Sequence, residues 1–210
     1  MDSKSNIITH YFPELTAQQQ QQFDALYDLY LDWNAKINVI SRKDIDNLYE
    51  HHVQHSLAIA RFVEEELGGW GDGTTIVDVG CGGGFPGIPL AIRYPQCKFL
   101  LVDRIGKKVR VAQEVANAIG LKNVEFRHAG IEEVKASFEY AVSRAVMNLP
   151  DLLKLVKRVT KTGLICLKGG DLTEEMTPAI ARSTVTRDIS QYFSEEFFET
   201  KKVVYTKIQK

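Results

Sequence analysis

The chain has little cysteine. Cys81, Cys97 and Cys166 are the only three in 210 residues, and they lie scattered, with no metal-ligand spacing. That excludes a disulfide framework and a zinc knuckle and points to a reducing compartment. Long apolar runs are missing as well. None approaches the roughly 20 residues a membrane helix needs, and Met1 to His10 lacks the apolar core of a secretory signal. Nor is either charge in excess. The formal net charge is -1, so the whole chain does not attract a polyanion, and any nucleic-acid surface must be a local patch. No internal repeat is visible. The one low-complexity run, Gln18 to Gln22, reads as the solvated face of a helix. The expected setting is the cytoplasm.

What is present suffices for one substantial core, since 44% of the residues are hydrophobic. Phe23, Leu26, Tyr27, Tyr30, Asn34 and Ile37 keep the three-and-four spacing of an amphipathic helix, with Thr16 as its N-cap. A second helix is expected over Asn47 to Leu67. The run Gly68-Gly69-Trp70-Gly71-Asp72-Gly73 then breaks helicity. The chain is therefore divided into an N-terminal helical segment, 1–70, and a main domain, 71–210. In the main domain strands and helices alternate. Strands are predicted at Thr75–Val79, Lys98–Val102, Val124–Arg127, Tyr140–Ser143, Gly163–Leu167 and Lys202–Ile208. Helices are predicted at Lys107–Ile119 and Pro150–Thr160, and Ala179 to Tyr192 is ambiguous. Such alternation predicts a doubly wound α/β fold, with a mostly parallel sheet and a ligand beyond the carboxyl ends of its strands.

The strongest signal is Asp78-Val79-Gly80-Cys81-Gly82-Gly83-Gly84-Phe85-Pro86-Gly87, directly after the first strand. Glycines there let the backbone turn tightly and approach a ligand closely. Two ligands compete for it. A dinucleotide fingerprint fails from Gly80, because its third position is Phe85; it fits Gly82, Gly84 and Gly87 only in a register where the strand ends too early. Asp78 sets a carboxylate before the turn, which repels a pyrophosphate and attracts the sulfonium and amino group of S-adenosyl-L-methionine. Asp103, ending the second strand, is placed to accept ribose hydroxyls, with a helix cap as its competing role. Gly130-Ile131-Glu132 would flank the adenine, with a capped turn as the competing reading.

These residues resemble the RsmG (GidB) family, whose members methylate N7 of a guanine in small-subunit ribosomal RNA. The run from Gly84 to Leu90, G-F-P-G-I-P-L, is more specific than a generic glycine loop. Trp33-Asn34-Ala35-Lys36-Ile37-Asn38, Val102 to Lys108, Ser143-Arg144-Ala145 and Leu167-Lys168-Gly169 are also similar to family segments. The likeness is weak before residue 20 and after 175. It implies a class I methyltransferase with a seven-stranded sheet. It places the cofactor against Gly80, Phe85, Ile131, Glu132 and Arg144, with Asp103 on the ribose; Asp78 and Gly82 complete the candidate set. It further implies 16S ribosomal RNA or the small ribosomal subunit as partner. Two departures stand out. The family's H-x-x-D-S reads His52-Val53-Gln54-His55-Ser56 here, and Cys81 replaces a serine or threonine.

Guanine N7 carries no proton, so no general base is expected. Arg144 is the candidate for substrate positioning, with a surface salt bridge as its competing role, and Lys168 has a similar claim. Trp33 and Asn38 are candidates to close the pocket, although core packing competes for Trp33. His51 and His55 have metal-like spacing without a third ligand, so no metal is expected. Candidate RNA-facing patches are Arg42-Lys43, Lys107-Lys108 with Arg110, and Lys154, Lys157, Arg158 and Lys161, each also readable as a solvated helix face. A monomer is expected. Two rivals remain: an NAD-dependent oxidoreductase using the shifted glycine register, and a non-catalytic RNA-binding module of the same fold.

Overall fold

A computed structural model describes residues 5–144 and 146–208. Seven strands form one sheet in the order β3-β2-β1-β4-β5-β7-β6. They are β1 (Thr75–Val79), β2 (Lys98–Asp103), β3 (Val124–His128), β4 (Phe138–Arg144), β5 (Thr160–Gly169), β6 (Thr184–Asp188) and β7 (Lys201–Lys207). The first five are mutually parallel, and β7 runs antiparallel to both β5 and β6. The chain starts in the middle of the sheet, goes outward through β2 and β3, and returns to β4. The carboxyl ends of β1 and β4 therefore flank a switch point, where a doubly wound sheet opens a crevice.

Side-chain alternation along the strands builds two apolar layers. Ile76, Val142, Ile165, Leu167 and Val203 face the layer beneath the N-terminal helices, whereas Val77, Ala141, Leu164, Cys166 and Val204 face the other. The first layer is covered by α1 (Asn6–Tyr11), α2 (Ala17–Lys36), α3 (His55–Glu66), α4 (Gly87–Arg93) and α5 (Gly106–Ala118). The second is covered chiefly by α6 (Leu149–Val156). A short α7 (Pro178–Ala181) precedes β6.

Thr16 caps α2 as expected, in a capping box with Gln19. The glutamine run is only partly solvated. Gln19 and Gln22 are buried, where their amides donate to the Ile92 carbonyl at 2.8 Å and the Ile119 carbonyl at 3.0 Å, closing the ends of α4 and α5. The segment expected as one helix over 47–67 is instead a wide π-helical turn, Leu48–Gln54, running into α3. The helix expected to reach Thr160 stops at Val156, because Thr160 already pairs with Phe138 as the start of β5. The ambiguous stretch after 179 contains β6, an edge strand whose residues are all half-buried, so it carries no alternating signal. No helix among the described residues is long and apolar enough to cross a membrane.

Candidate active site

Strand β1 delivers the chain into a glycine turn. The amides of Gly80 and Cys81 both donate to the Val102 carbonyl, at 2.9 and 3.1 Å, and so bend the chain back over the end of β2. Gly80, Gly82 and Gly84 hold φ of +71°, +54° and +112°, the left-handed side that side chains disfavour. A Cβ on Gly82 would meet nothing within 4 Å, so that glycine faces open space. Helix α2 braces the back of the turn. The buried Tyr30 hydroxyl donates to the Gly83 carbonyl at 2.7 Å. The Asn34 side chain accepts from Val39 and Ile40 and donates to the Ile40 carbonyl, which seats Val39 on Gly83. Val39 thus borders the cavity, while Trp33 and Asn38 stand outside its wall.

Asp78 lies fully buried beneath the turn rather than in the cavity wall. Its Oδ2 accepts from the Gly87 amide at 2.8 Å, and its Oδ1 has no partner among the described residues. Burial pushes its carboxyl up to about 7. A dinucleotide pyrophosphate would need the amino terminus of α4 as its anion site. Here the first amide of α4 is already bound to a carboxylate from below, which argues against the shifted-register dinucleotide. Asp103 meets the other flank. Its Oδ2 accepts from the Gly82 amide at 2.9 Å and its Oδ1 from the Ile105 amide at 2.8 Å. It therefore turns the chain after β2 and remains at the cavity wall.

The turn opens on a cavity of about 760 Å³, within the usual size range of small-molecule sites. On the β2–β3 side stand Asp103, Ile131 and Glu132, together with Lys108. Ile131 is buried, and Glu132 is exposed and ion-paired with Arg104 at 2.5 Å. Residues 131–133 form a single tight turn whose Gly130 amide donates to Glu133, as the capped-turn reading expects.

Arg144, at the end of β4, occupies the opposite side. Its guanidinium donates to the His51 carbonyl and to His52 Nδ1, both at 3.0 Å, and lies 5.2 Å above the Phe85 ring. It is not a surface salt bridge. Burial lowers Arg144 to about 10, which leaves it charged at neutral pH. His52 is lowered to about 4 by burial and then by Arg144, so it is neutral. Because Arg144 donates to its Nδ1, the His52 proton sits on Nε2, 2.8 Å from Asp44 Oδ2. Asp44 also meets His51 Nδ1 at 2.6 Å. Burial opposes ionisation of Asp44, but hydrogen bonds from Asn47, His51 and His52 outweigh it and hold the carboxyl below its usual range. A carboxylate is thus supplied to His51 and His52 from the loop before the π turn.

Asp44, Val39, Phe197 and Lys201 line the cavity without having been singled out in the sequence. For Asp44 the usable signal was its position just after the Arg42-Lys43 pair; for the others no local pattern exists. Lys168 also reaches the cavity, where its amine donates to the Met147 carbonyl and to Glu175, each at 2.7 Å, bracing the loop after β4. Ala145, the last residue of the S-R-A segment, lies outside the described residues. Among the basic patches, Lys108 lines the cavity and Arg42-Lys43 precede its Asp44, while the patch that begins on α6 does not reach it.

Known proteins can be set beside this geometry. A family model described as rRNA small subunit methyltransferase G matches residues 19–203. A ribosomal RNA small subunit methyltransferase G from Bacteroides thetaiotaomicron is 61% identical, covering 96% of this chain and 99% of its own. One of the same name from Porphyromonas gingivalis is 50% identical, covering 96% and 92%. Among solved structures, the magnesium protoporphyrin IX methyltransferase of Synechocystis, with bound SAM, covers all of this chain and 98% of its own, with a TM-score of 0.57 at 12% identity. A SAM-dependent methyltransferase from Aquifex aeolicus gives a TM-score of 0.50 at 20% identity, covering 74% and 93%. The structural likeness establishes the class I S-adenosylmethionine-dependent methyltransferase fold. Joined to a match that runs through the turn, Asp103 and Arg144, it makes this chain a member of the rRNA small subunit methyltransferase G family.

Proposed function

We propose that this chain transfers a methyl group from S-adenosyl-L-methionine to N7 of a guanine in a loop of 16S ribosomal RNA, presented by the small ribosomal subunit or its RNA. The observation that carries the cofactor half is the glycine turn. Its amino-terminal helix amide is tied to Asp78, its Gly82 faces open space, and Asp103 stands at the next strand end. This donor set fits a cation and a ribose and does not fit a pyrophosphate. Gly80, Gly82, Phe85, Asp103, Ile131, Glu132 and Arg144 would hold the cofactor, with the Asp78 charge below.

When bound, S-adenosylmethionine supplies an electrophilic methyl group. Guanine N7 offers a free lone pair and no proton, so the chain's own residues need only position, orient and exclude water. The two histidines that meet Arg144 and Asp44 are engaged in holding them. His52 uses Nδ1 to accept from Arg144 and Nε2 to meet Asp44, and His51 is bound to Asp44 as well. Neither stands as an unengaged base. Arg144, fixed by two hydrogen bonds, is the group that orients the acceptor edge of the base.

The reading includes a cytoplasmic setting and a monomer. It also takes 1–70 as an N-terminal helical segment and 71–210 as the cofactor-binding methyltransferase domain. Nucleoside mass spectrometry of ribosomal RNA from cells lacking the protein tests the whole. Loss of 7-methylguanosine from the small subunit is expected, and its full retention would refute the substrate.

Two results are expected for the cofactor side. Asp103→Ala should weaken S-adenosylhomocysteine binding by about 1–3 kcal/mol, the cost of leaving polar partners unpaired; calorimetry measures it, and an unchanged affinity removes Asp103 from the site. The second concerns Asp78, whose carboxyl is raised to about 7 by burial. A cation lodging above it favours the ionised form, so below pH 7 binding must first remove a proton. Affinity for S-adenosylmethionine should therefore rise as pH increases toward about 7 and then level. In Asp78→Asn this slope should vanish, and a slope of equal size in the variant would assign it to another group.

A further inference from the structure

Arg144 can orient a base only if it is itself oriented. Its two polar partners come from adjacent residues, the His51 carbonyl and His52 Nδ1. A carbonyl always accepts. An imidazole nitrogen accepts only while it carries no proton. Arginine has donors and no acceptor, so the 3.0 Å contact with Nδ1 requires the His52 proton to sit on Nε2. The other tautomer, or the imidazolium, would set N–H against N–H and drive the ring and the guanidinium apart. The hold on Arg144 therefore depends on the place of one proton.

Asp44 is the group that meets that proton. Its Oδ2 lies 2.8 Å from His52 Nε2 and its Oδ1 lies 2.6 Å from His51 Nδ1. A carboxylate only accepts, so each nitrogen presents an N–H to it. Two local features are built around these contacts. Asp44 stands at the N-cap of the short turn Ile45–Asn47, where an aspartate ordinarily accepts from a backbone amide. It makes no such bond, and its carboxylate goes instead to side chains 7 and 8 positions later. The two histidines, in turn, lie within the π-helical turn Leu48–Gln54. A π turn holds more residues than an α turn, so adjacent side chains diverge less and both rings can reach one carboxylate; such turns recur at functional sites. Asn47 completes the set by donating to Oδ1 at 3.2 Å.

We infer that Asp44 is a positioning residue for methyl transfer: its carboxylate holds His52 in the Nε2–H tautomer, which leaves Nδ1 to accept from Arg144 and so keeps that guanidinium in place at the cavity wall. This rests on the reading of the chain as a methyltransferase whose Arg144 orients the substrate, and it adds the group that orients Arg144.

The first readout is the His52 tautomer in the full chain saturated with S-adenosylhomocysteine. Proton–nitrogen correlation spectra of the imidazoles give it, with the His52 signal assigned by its absence in His52→Asn. The wild type should hold the Nε2–H form alone, and Asp44→Ala should give a mixture of both forms. The second readout is single-turnover transfer of labelled methyl to small subunits. Asp44→Ala should lower it by about 10- to 100-fold, the usual loss when a group at a reacting centre is misplaced by about an ångström. The third repeats that substitution in His52→Asn. The asparagine amide oxygen stands where Nδ1 stood and accepts from Arg144 unaided, so losing Asp44 there should cost less than about threefold. Thermal melts establish that the variants are folded. A wild type in the other tautomer, a tautomer or a transfer rate unchanged in Asp44→Ala, or equal losses in the two backgrounds overturns the assignment. If His52→Asn alone abolishes transfer, the first two readouts decide. Failure of the underlying reading shows separately, as a wild type that transfers no methyl while its tautomer still answers to Asp44.

Discussion

Arg144→Ala should lower methyl transfer to small-subunit RNA by about 10²- to 10³-fold, the usual consequence of removing a preorganised donor from a reacting centre. The guanidinium is fixed on three sides, by the His51 carbonyl, by His52 Nδ1 and by the Phe85 ring. A group so held loses little on meeting the transition state, and that is why its removal is costly. Lysine should rescue only weakly. Its single ammonium presents no planar fork to span a carbonyl and an imidazole nitrogen while still facing the cavity. Single-turnover transfer of labelled methyl measures the loss, and calorimetry with S-adenosylhomocysteine separates it from cofactor binding. Transfer falling well beyond cofactor affinity identifies Arg144 as a substrate-orienting group. Equal losses confine it to cofactor binding, and no loss removes it from the site.

Gly84→Ala should destabilise the chain by about 3 kcal/mol or more, from left-handed backbone strain added to overpacking. Its φ is +112°, and an added Cβ would fall 2.4 Å from Ile88 Cδ1 and 3.1 Å from the Tyr30 hydroxyl. Neither neighbour can yield easily, because both are fully buried. For a chain of this size the melting temperature should fall by about 6–12 °C, and cofactor affinity should fall with it. Gly82→Ala is the informative contrast. Its φ of +54° lies in the accessible left-handed well and its Cβ meets nothing. It should melt within about 1–2 kcal/mol of the parent yet bind cofactor poorly, since the methyl projects into open space beside the turn. Thermal denaturation paired with calorimetry distinguishes the two. If both glycines tolerate alanine in both assays, the turn does not approach a ligand.

The two substitutions separate what is local from what is not. Gly84 was legible because a strand, an acidic residue and spaced glycines are written consecutively between 75 and 87. Asp103 was legible because it ends an apolar run. Both readings concern the chain's own next few residues. Arg144 could be marked only through the resemblance, because spacing alone leaves it equally suited to a surface ion pair. What makes it a buried, oriented cation is a carbonyl 93 positions earlier and an imidazole 92 positions earlier. The same holds for Gln19 and Gln22. Their run reads as solvated face, and only the approach of α4 and α5 gives them carbonyls to cap.

By itself the sequence determined the alternation of strands and helices, the glycine turn and the carboxylates at 78 and 103, since hydrophobic periodicity and backbone freedom act over a few residues. Only the tertiary structure decided which way those carboxylates point, which loop supplies Asp44, and that Arg144 is held between His51, His52 and Phe85. Such facts depend on contacts between distant segments, and the sheet's crossing order, not any local pattern, brings those segments together.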